Sequence, residues 1–388
     1  MRIALFAGEA SGDVLAAGLM HEIRARRPQA EFFGVTGPQM RAAGCESLAD
    51  IDELSLIGLF EVLRHLPRLW RLRQRLVRIC LERRPDVVVG IDAPDFNLGL
   101  ECTLRHRGLT TVHYVGPTVW AWRPGRVRQV VRAASRVLLL FPFEARWYRH
   151  TPCEPVYVGH PLADALHPPP GRAASRAALG LPVAAPVLAL LPGSRHSEWK
   201  NHAEAFLAAA LQLSRQDPAL EVVVGLVNER AARHFEGLVA GVPDFARFRF
   251  VTGDTHRVLA AADVALLVSG TVALEAMLIG TPMVVAYRMS PASYWLALRL
   301  VGIRLYALPN ILAGRQLVPE IIQEAVEPAA LAAAVRGLLD DAAGRERLAA
   351  EFSREAARLR RHASARAAEA VLATAEGRTV EAPAREER

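Results

Sequence analysis

The chain reads as an α/β protein built from two doubly wound, Rossmann-like domains facing each other across a cleft. Three observations predict this. Short, branched, apolar runs of buried-strand type recur through both halves, each followed by a polar or glycine-containing turn and a segment of helical period. The chemically interesting residues gather where those strands end, which is where open parallel sheets bind ligands. Pro168-Pro169-Pro170-Gly171 separates the two series as a linker, and 388 residues are enough for two cores.

In the second series, Asp263 to Val268 is a strand, Ser269-Gly270-Thr271-Val272-Ala273-Leu274-Glu275 a turn entering a short helix, and Met283 to Ala286 the next strand. The helix start frees the N–H groups of Gly270, Thr271 and Val272 for a phosphate. Glu275, one turn on, can accept from a ribose diol; an acidic first turn in a capped helix accounts for it equally well. Pro186 to Leu191 is another strand and delivers Gly193-Ser194-Arg195 to its end, before a helix from Ala203 to Leu213. Arg195 suits phosphate because its fork presents fixed donors, and Gly193 lets the backbone approach. This is no Walker loop: Gly-x-x-x-x-Gly-Lys is absent, and Lys200 is the only lysine. Strands over 221–225 and 248–251 extend the series, and a Leu/Trp-rich helix is expected over 293–300. In the turn from Leu308 to Arg315, Asn310 either bonds a base or phosphate or closes an Asx turn.

In the first series, strand Arg2 to Ala7 ends in Gly8-Glu9-Ala10-Ser11-Gly12-Asp13, and a helix follows from Val14 to Arg26. The dinucleotide spacing Gly-x-Gly-x-x-Gly is missing, and Glu9 and Asp13 would repel a pyrophosphate, so a sugar or amide ligand suits the turn better. A strand from Asp86 presents Asp92 at its end, with Ala93-Pro94-Asp95-Phe96-Asn97 after it, where Pro94 ends the ladder. A carboxylate held there is a candidate general base for a sugar hydroxyl, and Asp92 is preferred to Asp95. After the strand Thr110 to Val115, a proline-bounded loop carries Trp120, Trp122, Arg123 and Arg126. It offers a platform for a sugar ring or acyl chain with cations near a phosphate; core packing is the other use of Trp120. A helix is expected from Phe143 to His150, and His160 stands at a strand exit, where it lines the cleft or bonds the backbone.

From Leu54 the apolar positions Val62, Leu66, Leu69, Leu76 and Cys80 recur at helical spacing, while Arg64, Arg68, Arg71, Arg75 and Arg78 occupy another face. A sheet-covering helix with a solvated basic side explains the pattern. So does an acyl-chain or membrane contact made by Leu56, Ile57, Leu59, Phe60, Leu63 and Trp70, ringed by Arg64 and Arg68.

With 52% hydrophobic and 22% charged residues, disorder is excluded as the main state. The formal charge of +7 is almost wholly arginine, a bias that base composition can produce, so it is discounted as a nucleic-acid signal. It favours phosphorylated substrates or an anionic membrane face. Cys45, Cys80, Cys102 and Cys153 form no Cys-x-x-Cys pair, which fits a reducing cytosol. The N-terminus lacks the signature of a signal peptide, and no run of about 18 uncharged apolar residues occurs, so membrane contact is expected to be peripheral.

Six ordered motifs, at Gly8–Asp13, Gly90–Asn97, Val119–Arg123, Leu191–Arg195, Ser269–Glu275 and Leu308–Arg315, together resemble the lipid-A-disaccharide synthase family over Arg2 to about Val371. Gly116 departs from it, standing where the family's Tyr-Val-Ser-Pro run has serine, and Trp199-Lys200 is bulkier than the family pattern. The resemblance implies a GT-B glycosyltransferase of Gram-negative bacteria, peripheral on the inner face of the inner membrane. It would join UDP-2,3-diacylglucosamine to 2,3-diacylglucosamine 1-phosphate, forming a β(1→6) disaccharide 1-phosphate and UDP. By that resemblance Asp92 is the base, Arg195, Glu275 and Asn310 lie in the UDP half, and 57–70 meets acyl chains. Read from their own turns, Gly193, Ser194, Ser269, Gly270, Thr271 and Arg315 join the expected UDP-binding set, and Glu9, Ser11, Asp13, Asp95, Asn97, Trp122, Arg123 and His160 form the expected acceptor or loop set. The expected bounds are 1–168 and 172–328 for the two domains, helices over 329–373 packing back or exchanged in a homodimer, and a disordered tail over 374–388. No cofactor or metal is expected, since no paired carboxylates flank the nucleotide segments. Two other classes share features: a UDP-sugar epimerase or soluble-acceptor glycosyltransferase, which needs no apolar 57–70 surface, and a non-catalytic nucleotide or lipid binder, which has no use for Asp92.

Overall fold

The strands that form the centre of each sheet are buried on both faces, which is why they read as unbroken apolar runs rather than alternating ones. The computed structural model describes residues 1–55, 62–120, 125–240, 243–290, 294–295 and 305–378. Two compact units are present, Met1–Asp164 together with the chain from Leu359 on, and Ala165–Arg358.

The first unit runs β1 (Arg2–Ala7), α1 (Ala10–Arg26), β2 (Glu31–Thr36), α2 (Pro38–Ala42), β3 (Glu46–Asp50), α3 (Asp52–Ser55), α4 (Val62–Arg83), β4 (Val87–Ile91), α5 (Pro94–His106), β5 (Thr111–Tyr114), α6 (Arg126–Ala133), β6 (Arg136–Leu139) and β7 (Glu154–Tyr157). Its seven strands are parallel in the order β3-β2-β1-β4-β5-β6-β7, so the winding direction reverses between β1 and β4. The expected helix from Phe143 to His150 is instead a short 3₁₀ turn, Pro142–Trp147. Its start is capped by the buried Glu144, whose carboxylate accepts from the Phe141 N–H at 3.0 Å, and His150, left-handed at φ 65°, turns the chain before β7.

The second unit continues with α7 (Pro161–Ala165) at its border, then α8 (Arg172–Ala178), β8 (Val187–Leu191), α9 (His196–Gln216), β9 (Glu221–Leu226), α10 (Glu229–Val239), β10 (Arg249–Thr252), α11 (Thr255–Ala261), β11 (Val264–Val268), α12 (Thr271–Ile279), β12 (Met283–Tyr287) and β13 (Glu320–Ile322). Its six strands are also parallel, ordered β10-β9-β8-β11-β12-β13, with the reversal between β8 and β11. The expected helix over 293–300 lies outside the described residues except for Tyr294 and Trp295.

The C-terminal helices divide between the units. Pro328–Asp340 packs on α9, β11 and β12. Ala363–Ala375 packs on α1, β4 and β6 of the first sheet, so this helix returns to the unit in which the chain began. Asp164 caps it, accepting from the N–H groups of His362 at 3.0 Å and Ala363 at 2.6 Å, and Arg136 donates to the Ala370 carbonyl at 2.8 Å. Among the described residues no helix is long and apolar enough to cross a membrane.

Candidate active site

Where the second sheet reverses, the loops after β8 and β11 enclose a cavity of about 300 Å³. One wall is Gly193, Ser194, Arg195 and Glu198; the other is Ser269, Gly270, Thr271, Val272 and Glu275. The first-turn N–H groups of α12 have no acceptor within the helix and border this space, an arrangement that favours an anion. The Gly193 loop is arranged differently from expectation. Glu198 accepts from the backbone N–H groups of Ser194 at 2.8 Å and Arg195 at 3.1 Å, so this loop's N–H groups already hold a carboxylate. The Arg195 guanidinium also stands on that wall, its side chain 80% exposed and 3.5 Å from Glu198. Gly193 is required here: its φ is +107°, and a Cβ would lie 2.4 Å from the Glu198 carboxylate. Glu275 lines the cavity and pairs with the His256 ring at 3.4 Å, which holds that imidazole above its ordinary range.

The corresponding reversal in the first sheet carries Asp92. Both Asp92 and Ala93 are left-handed, with φ of 54° and 43°, an uncommon state for non-glycine residues that aims the aspartate out of the strand. Asp92 Oδ1 accepts from the Ala93 N–H at 2.8 Å. The turn presses against the β1 loop so closely that a Cβ on Gly8 would lie 2.0 Å from the Ala93 Cβ.

A family model described as lipid-A-disaccharide synthetase matches residues 3–374, a span that includes both of these sites. The chain belongs to the lipid-A-disaccharide synthase family. It is 48% identical over 373 residues to the lipid-A-disaccharide synthase of Sodalis glossinidius, covering 96% of this chain and 97% of that protein. With that of Pseudomonas aeruginosa PAO1 it shares 48% over 378 residues, covering 97% and 99%. Among solved structures, a UDP-GlcNAc 2-epimerase from Neisseria meningitidis bound to UDP-GlcNAc superposes with a TM-score of 0.62 at 12% identity, covering 97% of this chain and all of that one (100%). WaaG, a glycosyltransferase involved in lipopolysaccharide biosynthesis, gives 0.55 at 16%, covering 96% and 99%. The fold is GT-B, two Rossmann-like domains, and the chain is a glycosyltransferase.

Several residues singled out in the sequence of this synthase-family chain turn out to hold the scaffold. Asp13 is 2% exposed and accepts from the N–H groups of Gly37, Gln39 and Met40 at 3.0, 2.8 and 2.9 Å, capping α2 instead of meeting a ligand. Asn97 is fully buried and donates to three backbone carbonyls, so it is no acceptor contact. Asn310, also fully buried, donates to the Val318 carbonyl and Glu320 and accepts from the N–H groups of Leu317 and Val318, so its side-chain amide is fully paired within the protein. The Ser269 hydroxyl donates to the Tyr306 carbonyl at 2.9 Å. Arg315 pairs with Glu351 at 3.3 Å and lies outside the cavity lining. Asp95 pairs with Arg126. His160 accepts from the Leu162 N–H at 3.2 Å, and burial pushes its pKa down to about 4, so it is a neutral structural imidazole. The Trp120 ring packs edge-on against Phe143 at 5.3 Å. Glu9 and Ser11 remain exposed on the β1 loop.

Trp122, Arg123, Leu56, Ile57, Leu59 and Phe60 lie outside the described residues, as do the side chains of Leu63 and Arg64. Trp70 is 61% exposed, and Arg68, which contacts Glu53 at 3.4 Å, is exposed beside it, as are Arg71, Arg75 and Arg78. Sequence reasoning did not assign a role to Glu198 or His256. The spacing of Glu198 three residues after Arg195 was its signal, the pattern of an N-terminal helix cap. His256 could be found only once α11 and α12 were packed side by side. Among the described residues no group of three or more His, Cys, Asp or Glu is placed to hold a metal ion.

Proposed function

We propose that this glycosyltransferase joins UDP-2,3-diacylglucosamine to 2,3-diacylglucosamine 1-phosphate, forming the β(1→6) lipid A disaccharide 1-phosphate and UDP. The observation that carries the reading is the family match over residues 3–374, within which the nucleotide cavity and the Asp92 turn both keep the required groups. Asp92 is the general base. With Oδ1 held by the Ala93 N–H, Oδ2 takes the proton of the acceptor 6-hydroxyl as that oxygen attacks the donor anomeric carbon from the face opposite the UDP, inverting it. Negative charge developing on the departing diphosphate is met by Arg195 and by the first-turn N–H groups of α12, while Glu275 accepts from the ribose.

The enzyme works as a peripheral protein on the inner face of the inner membrane. Exposed Trp70 and the arginines of α4 support this, because an aromatic anchor beside cations suits an anionic lipid surface.

The test is a transfer assay with purified protein, both diacylated substrates and EDTA, comparing wild type with Asp92→Ala. Disaccharide and UDP formed by the wild type and lost in the variant are the expected result. Turnover retained by Asp92→Ala removes the base assignment. Consumption of UDP-GlcNAc without any disaccharide replaces the lipid reading with an epimerase or a soluble-acceptor transferase.

A further inference from the structure

The Asp92 turn is an unfavourable piece of backbone, two successive left-handed non-glycine residues, and something must hold it. The Asp92 N–H is held by the Tyr114 carbonyl at 2.9 Å, and its carbonyl side is held by Asn97, fully buried one helical turn away at the start of α5. Its Nδ2 donates to the carbonyls of Phe6 at 3.0 Å, Ile91 at 3.2 Å and Asp92 at 2.9 Å, sharing two protons among three acceptors. The reverse amide orientation would set Oδ1 against three carbonyl oxygens, so electrostatics selects this one. Its backbone N–H donates to the Ala93 carbonyl at 3.0 Å, and the residue therefore grips both halves of the turn.

The grip is itself fixed from below. Glu101, one turn further along α5, lies over Gly90, where a Cβ would be 1.9 Å from Glu101 Oε1 and 3.0 Å from the Asn97 Cβ. Glu101 is held by the ring of buried His113 at 2.8 Å, and His113 stands beside Gly90 in the β4–β5 register. Pairing of β1 with β4 does not need the amide, since their own ladder runs as far as Ala7 and Ile91. What the amide adds beyond that ladder is a fixed carbonyl on Asp92.

We infer that Asn97 is a positioning residue for turnover: by tying the Asp92 carbonyl to the ends of β1 and β4, it sets the left-handed turn that aims the Asp92 carboxylate. This rests on reading Asp92 as the base. It accounts for an asparagine at a buried position that no substrate reaches, even though its Oδ1 is left without a partner among the described residues.

The experiment compares wild type, Asp92→Ala, Asn97→Ser and Asn97→Ala, measuring kcat, KM for each substrate, UDP affinity by calorimetry and the melting temperature. Misplacing a reacting group by about 1 Å costs on the order of 10²-fold, so both Asn97 variants should lose kcat on that scale with UDP affinity unchanged. Ala93→Gly loosens the same turn with the amide in place, and should lower kcat without lowering the melting temperature. If Asp92→Ala is inactive while the folded Asn97 variants keep wild-type kcat, the inference is overturned and the base assignment survives. If Asp92→Ala keeps its turnover, the base assignment falls instead. Should neither Asn97 variant fold, wild-type kcat in Ala93→Gly overturns the inference, and reduced kcat supports it.

Discussion

Replacing Glu198 with glutamine should make the protein bind UDP more tightly. The carboxylate lines the cavity, accepts from the Ser194 and Arg195 N–H groups, and stands 3.5 Å from the guanidinium expected to meet the diphosphate. A unit negative charge about 5 Å from a phosphate oxygen opposes it by about 3 kcal/mol at an effective dielectric constant of 20. Exposure of Arg195 and the open cavity mouth screen part of this, leaving a net gain of about 1–2 kcal/mol, or roughly 5- to 30-fold in the dissociation constant. The amide oxygen can still accept from both N–H groups, so the loop keeps its shape, while the weakened cap costs about 1 kcal/mol of stability. Calorimetric titration with UDP at low and high salt, beside a urea melt, reads both quantities. The affinity gain should shrink as salt rises. Equal or weaker binding would refute the argument, and would mean that Glu198 serves mainly to orient Arg195.

Two further outcomes follow from specific contacts. Gly8→Ala places a Cβ 2.0 Å from that of Ala93, so it should lower the melting temperature; adding Ala93→Gly removes that atom, leaves the Ala93 Cα at 3.4 Å, and should restore most of the loss. The His256–Glu275 pair should make stability depend on pH. Glu275 raises the His256 pKa above its ordinary 6.5, so the pair's contribution is complete below about pH 6.5 and is lost as pH rises through the higher folded-state value. Because the His256 side chain is 42% exposed, the term is screened to roughly 0.5 kcal/mol. Urea midpoints of wild type and His256→Gln should therefore differ near pH 6 and converge near pH 9, checked by titrating both across that range.

The sequence by itself determined the architecture and the positions of the loops. Apolar runs such as Val187–Leu191 and Val264–Val268 are read directly because parallel strands are buried on both faces, and the turns after them stand out through their glycine, proline and charge. The motif at Ser269–Glu275 borders the cavity of the second unit, and Asp92 stands just past the end of its strand. Short elements were not legible: β3 and β13 are only partly buried and carry polar residues, so neither shows a strand's pattern. The direction in which each polar side chain faces was decided only by the tertiary structure. Asp13, Asn97 and Asn310 look from the sequence like ligand contacts, since a polar residue beside a glycine turn fits either use. The packing turns all three inward, because the helix-start N–H groups and loop carbonyls around them are buried or part-buried and find their partners there. Likewise the arginine-rich C-terminal helix period is plain in the sequence, but its last helix docks on α1 because that is where the first sheet has an uncovered apolar face for Ala367, Val371 and their neighbours.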